Sequence, residues 1–279
     1  MPHSRPSPLA LLAVALPAVA QIQWSPAPGL ARLVPRTGHA LAHDSVRGRA
    51  VLFGGLGLSD TWEWDGTTWT ERLPPTSPPG RYDCAMAFDS RRGRMVLFGG
   101  WTFAGPLADT WEWDGAAWIQ RSPLQSPPAR SEHAMAFDAG RGTVVLFGGQ
   151  AGISLLGDVW EWDGSTWTER FPATGAWARK GHAMAYDTGR ARVVLQGGGG
   201  SDTWEWDGTN WTQRMPSTSP PPLIHHALAY DARRGRTILF GGNRCDPSYC
   251  MVADTWEWDG TNWIQRTPSR APPRERVTR

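Results

Sequence analysis

The sequence predicts an all-β protein built from one four-stranded antiparallel unit repeated five times, and three observations predict it. A heptapeptide, Asp-(Thr/Val)-Trp-Glu-Trp-Asp-Gly, begins at Asp60, Asp109, Asp158, Asp202 and Asp254, at intervals of 44 to 52 residues. That period lies in the range of propeller blades and solenoid repeats. A further Trp follows three residues after the Gly of every copy, and a Gly-Gly pair closes an apolar run ahead of every copy.

Each unit divides into four strands, which the second unit illustrates in order. Strand A covers 83–89, where small Ala85 and Ala87 alternate with larger Met86 and Phe88, as in a strand packed tightly on both faces. Arg91, Arg92, Gly93 and Arg94 supply a polar hairpin turn. Strand B, 95–98, is the continuous apolar run Met-Val-Leu-Phe expected of an inner strand, and it ends at Gly99-Gly100. Strand C, 109–114, places Trp111 and Trp113 two apart and so on one face. Asp114-Gly115 is a hairpin signal, strand D follows over 117–121, and a proline-rich connector, 122–129, leads to the next unit.

Such a meander is apolar on both faces. Three Trp per unit, each able to bury about 150 to 250 Å², require a neighbouring sheet on either side. Radial packing of sheets meets that requirement without long exposed edges, which predicts a β-propeller. Parallel β-helices fit poorly, since their repeats are usually shorter and lack the Asp-Gly hairpins present here.

The double glycine, the strand C aromatic pair and the strand D Trp together resemble the kelch repeat. They read Gly54, Gly55, Trp62, Trp64 and Trp69 in the first unit, and Gly99, Gly100, Trp111, Trp113 and Trp118 in the second. The third has Gly148, Gly149, Trp160, Trp162 and Trp167, and the fourth Gly197, Gly198, Trp204, Trp206 and Trp211. The fifth has Gly241, Gly242, Trp256, Trp258 and Trp263. The resemblance spans roughly residues 36–266 and implies a kelch β-propeller of four-stranded blades. It specifies function less, because kelch propellers are mostly binding scaffolds and a few are enzymes.

The ends of the chain carry their own signals. Residues 1–20 read as a cleavable signal peptide: Arg5 with no acid, an apolar run over 9–20, and Ala18-Val19-Ala20 as the cleavage site. That run is short of the about 20 residues of a membrane span, so a secreted or periplasmic protein without a membrane span is expected. Trp24 precedes His39 by 15 residues, the interval that separates each strand D Trp from the next strand A, so 21–35 reads as an isolated strand D-like segment and linker. The same interval from Trp263 reaches Thr278, making 267–279 the start of a truncated sixth repeat. A closed five-bladed ring, monomeric, is the favoured arrangement; a cut-down longer propeller is the alternative.

Composition narrows the partners. A formal net charge of +2 gives no general surface for nucleic acid. Three cysteines make no disulfide framework: Cys245 and Cys250 are spaced to staple one loop, and Cys84 reads as a buried free thiol.

Up-and-down connectivity puts the D–A connectors and B–C loops on one face and the short turns on the other. The first face varies from unit to unit, with B–C loops running from 199–201 to 243–253. Loops on a rigid scaffold are where recognition usually resides. Trp101, Phe103, Trp177, Arg179, Arg244 and Tyr249 are the candidate ligand-binding residues, aromatic rings with arginines that suit a sugar ring or an apolar side chain.

Three repeated columns read as structural. His39, Cys84, His133, His182 and His226 occupy one equivalent position; His and Cys ligate metals, yet five blades hold them apart, so hydrogen bonds to the neighbouring blade are expected and no metal. Arg36, Arg81, Arg130 and Arg179, with Leu223 breaking the series, form either an anion-attracting rim or anchors for the connectors. Asp60, Asp109, Asp158, Asp202 and Asp254 are expected to fasten their own turns. No nucleophile elbow, zinc-protease helix or phosphate loop is present. The reading is a non-catalytic propeller, without cofactor, binding a glycan or protein through the loop face. An enzyme of oxidase or sugar-modifying type is the runner-up, and a purely structural surface-assembly module the third reading.

Overall fold

The computed structural model describes residues 33–244 and 250–267, and every regular element among them is a strand. The leader, the segment around Trp24, Cys245, Tyr249 and the start of a sixth repeat lie outside the described residues.

Five four-stranded antiparallel sheets follow one another along the chain. Blade 1 comprises Ala40–Asp44, Arg49–Phe53, Thr61–Trp64 and Trp69–Arg72 as strands A to D. Blade 2 comprises Ala85–Asp89, Arg94–Phe98, Thr110–Trp113 and Trp118–Arg121, and blade 3 Ala134–Asp138, Thr143–Phe147, Val159–Trp162 and Trp167–Arg170. Blade 4 comprises His182–Asp187, Arg192–Gly197, Thr203–Trp206 and Trp211–Arg214, and blade 5 Ala227–Asp231, Arg236–Phe240, Thr255–Trp258 and Trp263–Arg266. The turns form for local reasons. In blade 2 the Asp89 carboxylate accepts the amides of Arg91 and Arg92 at 3.0 and 3.1 Å, and Asp114 accepts those of Ala116 and Ala117 at 2.8 and 2.9 Å. Gly115 between them adopts φ +99°, a conformation that favours glycine.

The cores lie between blades, and each joins a small face to a large one. Ala40, Val51 and Phe53 of blade 1 meet Met86, Phe88, Leu97, Trp113 and Trp118 of blade 2. Ala85, Ala87, Val96 and Phe98 meet the corresponding large face of blade 3, and Ala134, Ala136, Val145 and Phe147 that of blade 4. The small-large alternation along strand A is therefore the difference between a blade's two faces.

Polar contacts repeat at each junction. Glu63 is buried and accepts from Arg47 and Arg72 of its own blade, at 2.7 and 2.9 Å, and from the Trp113 indole N–H of blade 2 at 3.2 Å. Glu112, Glu161 and Glu205 repeat this, receiving Trp162, Trp206 and Trp258 from the following blade. Such a carboxylate is tolerable in a core because all its charge is met by donors. The strand D Trp118, Trp167 and Trp263 donate to Thr61, Thr110 and Thr203 of the preceding blade at 2.8 to 2.9 Å. Backbone bonds also run from blade to blade around the axis: Asp83 N–H to Gly38, Glu132 to Asp83, Gly181 to Glu132 and His225 to Gly181.

Strand A of each blade packs on that of the next through blade 5, but among the described residues blade 5 does not pack in this way on blade 1. Phe53, Phe98 and Phe147 are fully buried at their junctions, whereas the equivalent Phe240 is 55% exposed, and Leu41, equivalent to buried Met86, is 54% exposed. Among the described residues four such junctions are made, between consecutive blades.

Candidate functional site

The face carrying the B–C loops and D–A connectors is built outward from the glycine pairs. Gly100 and Gly149 hold φ near +100° and each lies against the strand A entry of its own blade, where a Cβ would come within 2.8 Å of Cys84 or 2.6 Å of the Ser131 carbonyl. Only glycine lets the B–C loop leave there. Beyond the pair, blades 2 and 3 raise small hairpins, Trp101–Thr102 with Gly105–Pro106 and Gln150–Ala151 with Ser154–Leu155. Blade 5 raises a third, in which Asn243–Arg244 pairs with Leu223–Ile224 and with Cys250–Met251. The sequence contains no alternation long enough to signal such two-residue strands.

The candidate residues separate according to their height on these hairpins. Trp101 sits at a base, stitched to Tyr82 by reciprocal backbone bonds of 3.1 and 2.8 Å, and is half-buried. Phe103 occupies the tip and is fully exposed, as is Ile153 on the neighbouring hairpin. Trp177, in the connector entering blade 4, is 74% exposed and borders a cleft of about 360 Å³ lined also by Gly198, Gly200, Ser201, Asp202 and Gln213. Arg244 is exposed beside Cys250, whose thiol is free and exposed; the predicted Cys245 staple and Tyr249 lie outside the described residues. Arg179 does not belong with these. It is buried, its guanidinium binding the Trp177 and Gly197 carbonyls and, through both terminal nitrogens, the Asp202 carboxylate at 3.0 and 2.6 Å.

That contact resolves two columns at once. Arg36, Arg81 and Arg130 make the same bidentate grip on Asp60, Asp109 and Asp158, each also holding a glycine-pair carbonyl. The arginines are connector anchors rather than an anion rim, and the aspartates fasten the connectors rather than only their own turns. Each of Trp62, Trp111, Trp160 and Trp204 adds its indole N–H to the same carboxylate. Asp60, Asp158 and Asp202 are accordingly held below the ordinary carboxylate range by their arginine and Trp donors, against the opposing effect of burial.

The histidine column is interior. His133 and His182 pack edge-on against Phe98 and Phe147 of the preceding blade, with ring centroids 5.6 and 5.4 Å apart, and neither closes an ordinary hydrogen bond. Burial drives their protonation down, to about 3 for His182 and about 4 for His226, and pushes the Cys84 thiol up to about 12. Among the described residues no three His, Cys, Asp or Glu side chains gather as a metal site would require.

One polar group on this face was not foreseen. The residues preceding that column, Gly38, Asp83, Glu132, Gly181 and His225, all adopt positive φ and carry the axial backbone bonds. Glu132 accepts from Lys180 at 3.0 Å and from Gln150 at 2.7 Å, and meets His225 at 3.0 Å. His225 is shifted upward by Glu132, and Asp83 upward by burial and by the Glu132 charge. Glycine at two of five equivalent positions was the available signal of a left-handed backbone. Below this cluster the five A strands line an axial cavity of about 370 Å³, faced by His43, Phe88, Phe137, Tyr186 and Tyr230.

Repeated meander, inter-blade tryptophans and glycine-borne loops define the class as a β-propeller-type repeat scaffold. The chain matches the family model of the KLHDC2/KLHL20/DRC7 Kelch-repeats domain over residues 18–198, and it belongs to the kelch-repeat family. Kelch domains mediate protein binding. No curated protein was found to match the chain. Among the described residues no helix is long and apolar enough to cross a membrane.

Proposed function

We propose that this protein is a non-catalytic binding module, exported by its N-terminal leader, that takes a protein ligand on the B–C and D–A loop face. The observation carrying this reading is the exposure of large apolar side chains on that face: Phe103 and Ile153 on short hairpins, with Trp177 and Met251 at 74% and 90% exposure. Hydrophobic side chains presented on stitched backbone lose little entropy on binding, which is the condition for an affinity anchor. The cleft beside Trp177, with Ser201, Asp202 and Gln213 in its wall, supports a glycan as the second ligand class, because an indole face next to hydrogen-bonding groups suits a sugar ring.

Screening the purified protein against a displayed peptide library and a glycan array separates the two classes. For a peptide hit, Phe103→Ala should weaken binding by about 2 kcal/mol or more, and for a glycan hit Trp177→Ala should do so. Neither change should move the melting temperature. A ligand indifferent to both, but lost when Arg91 and Arg94 of the opposite turns are replaced, overturns the assignment of the face. Export is tested separately by the N-terminal sequence of protein recovered outside the cytoplasm, expected to begin at Gln21.

A further inference from the structure

We propose that the axial cavity on the turn face binds an uncharged, flat ring compound, an aromatic of one or two fused rings carrying a hydrogen-bonding group. The strand pattern builds the site. The next-to-last residue of every strand A is a ring, His43, Phe88, Phe137, Tyr186 or Tyr230, and repetition sets the five at one level around the axis. Two residues deeper along the same strands, and so on the same face of each, Met86, Met135, Met184 and Leu228 continue the lining. Ser45, Ser90 and Thr188, the first turn residues, place hydroxyls at the mouth.

The walls are formed in advance. Tyr186 Oη accepts the Gly140 N–H at 3.0 Å and Tyr230 Oη the Gly189 N–H at 3.2 Å, each reaching the turn of the preceding blade, and Phe88 is buried. Rings fixed in this way lose little entropy when a ligand enters. The cavity of about 370 Å³ is more than twice the about 150 Å³ that accommodates benzene, which sets the size at one or two fused rings.

Charge selects the ligand further. The turn face is dense in Arg and Asp, yet no Asp, Glu, Lys or Arg lines the cavity. The aspartate after each ring is tied to the arginine of its own turn at 2.6 to 2.9 Å. An anion would leave water with no counter-charge in the lining. An organic cation would meet Arg91, which follows Ser90 and bonds the Ala139 and Gly140 carbonyls at 2.7 and 2.8 Å. Water gains little from the methionine, leucine and phenylalanine walls, whereas thioethers and ring faces suit another aromatic. Every turn of the face on which the cavity opens is among the described residues, while Leu33, Arg244, Cys250 and Thr267, next to the segments outside them, belong to the opposite face.

The test titrates naphthol into the full chain carrying isotopically labelled methionine methyl groups. The resonances of Met86, Met135 and Met184 should shift together along one saturation curve, while those of Met95, in the core between blades, and of Met215 and Met251, exposed on the loop face, stay in place. Ser90→Trp and Thr188→Trp, at exposed positions of the mouth, should each remove these shifts without moving the melting temperature, and Phe103→Ala should leave them unchanged. Naphthoate and trimethylnaphthylammonium, the same ring with a charge of either sign, should bind more weakly than naphthol. Naphthol that moves none of the three resonances overturns the proposal, as do shifts centred on Met215 or Met251 and shifts that survive both tryptophan substitutions. A charged analogue that binds as tightly as naphthol overturns the ligand class.

Discussion

At the scale of single residues, the repeat contains its own control experiment. Every strand D Trp that faces a preceding blade finds a Thr hydroxyl except Trp211, whose indole N–H has no acceptor because Val159 stands where the other blades have Thr61, Thr110 and Thr203. Both residues are buried, so the donor is lost to water as well. Val159→Thr places a hydroxyl of nearly the same size at that point. It should raise the stability measured by urea unfolding by about 1 kcal/mol, the usual net worth of a buried hydrogen bond. A fall in stability would mean that the Thr rotamer cannot turn its hydroxyl toward the ring.

At the scale of the element, strand D and the B–C hairpins answer to different forces. Trp118 is 2% exposed, packed edge-on against Phe53 and bonded to Thr61 across the junction. Trp118→Ala should cost about 3 to 5 kcal/mol in lost burial and residual cavity. Phe103→Ala, at a fully exposed hairpin tip, should leave the unfolding midpoint within about 0.5 kcal/mol of the parent. Equal losses at the two sites would show that the hairpin belongs to the core. The periodicity of Trp, Ala and Met made strands A to D legible in the sequence, whereas the small hairpins were not: two residues carry no period, and their pairing is fixed by the glycine pair beneath them.

At the scale of the whole molecule, stability should depend on pH through the histidine column. His133, His182 and His226 are buried neutral, with folded pKa values depressed, to about 3 for His182 and about 4 for His226. The unfolded chain takes up protons near the ordinary value of about 6.5, and the folded one does not, so stability is complete above that pH and falls as pH drops through it toward 4. His225, raised by Glu132, works in the opposite sense, gaining stability below the unfolded value, but it is one residue against these three and His39, which burial lowers as well. The melting temperature should therefore decrease from pH 7 to pH 5, before the paired carboxylates begin to titrate. Insensitivity over that interval would mean the imidazoles are reached by water. Because each blade is held chiefly by its neighbours, such local losses propagate along the array.

The sequence alone determined the five four-stranded units, their turns and each strand to within a residue or two, because an alternating face and an Asp-Gly turn are local properties of the chain; Asp83, expected in strand A, instead takes positive φ just before it. It also marked the loop face as the variable one. Only the tertiary structure decided which columns meet. Arg81 and Asp109 are 28 residues apart and were separate series until the fold closed their grip, and the equivalent grip of Arg179 on Asp202 withdrew Arg179 from the candidate site. The number of junctions was decided there too. A repeat records how one blade fits the next, but whether the last blade reaches the first depends on the rotation accumulated at every junction, which no single unit encodes.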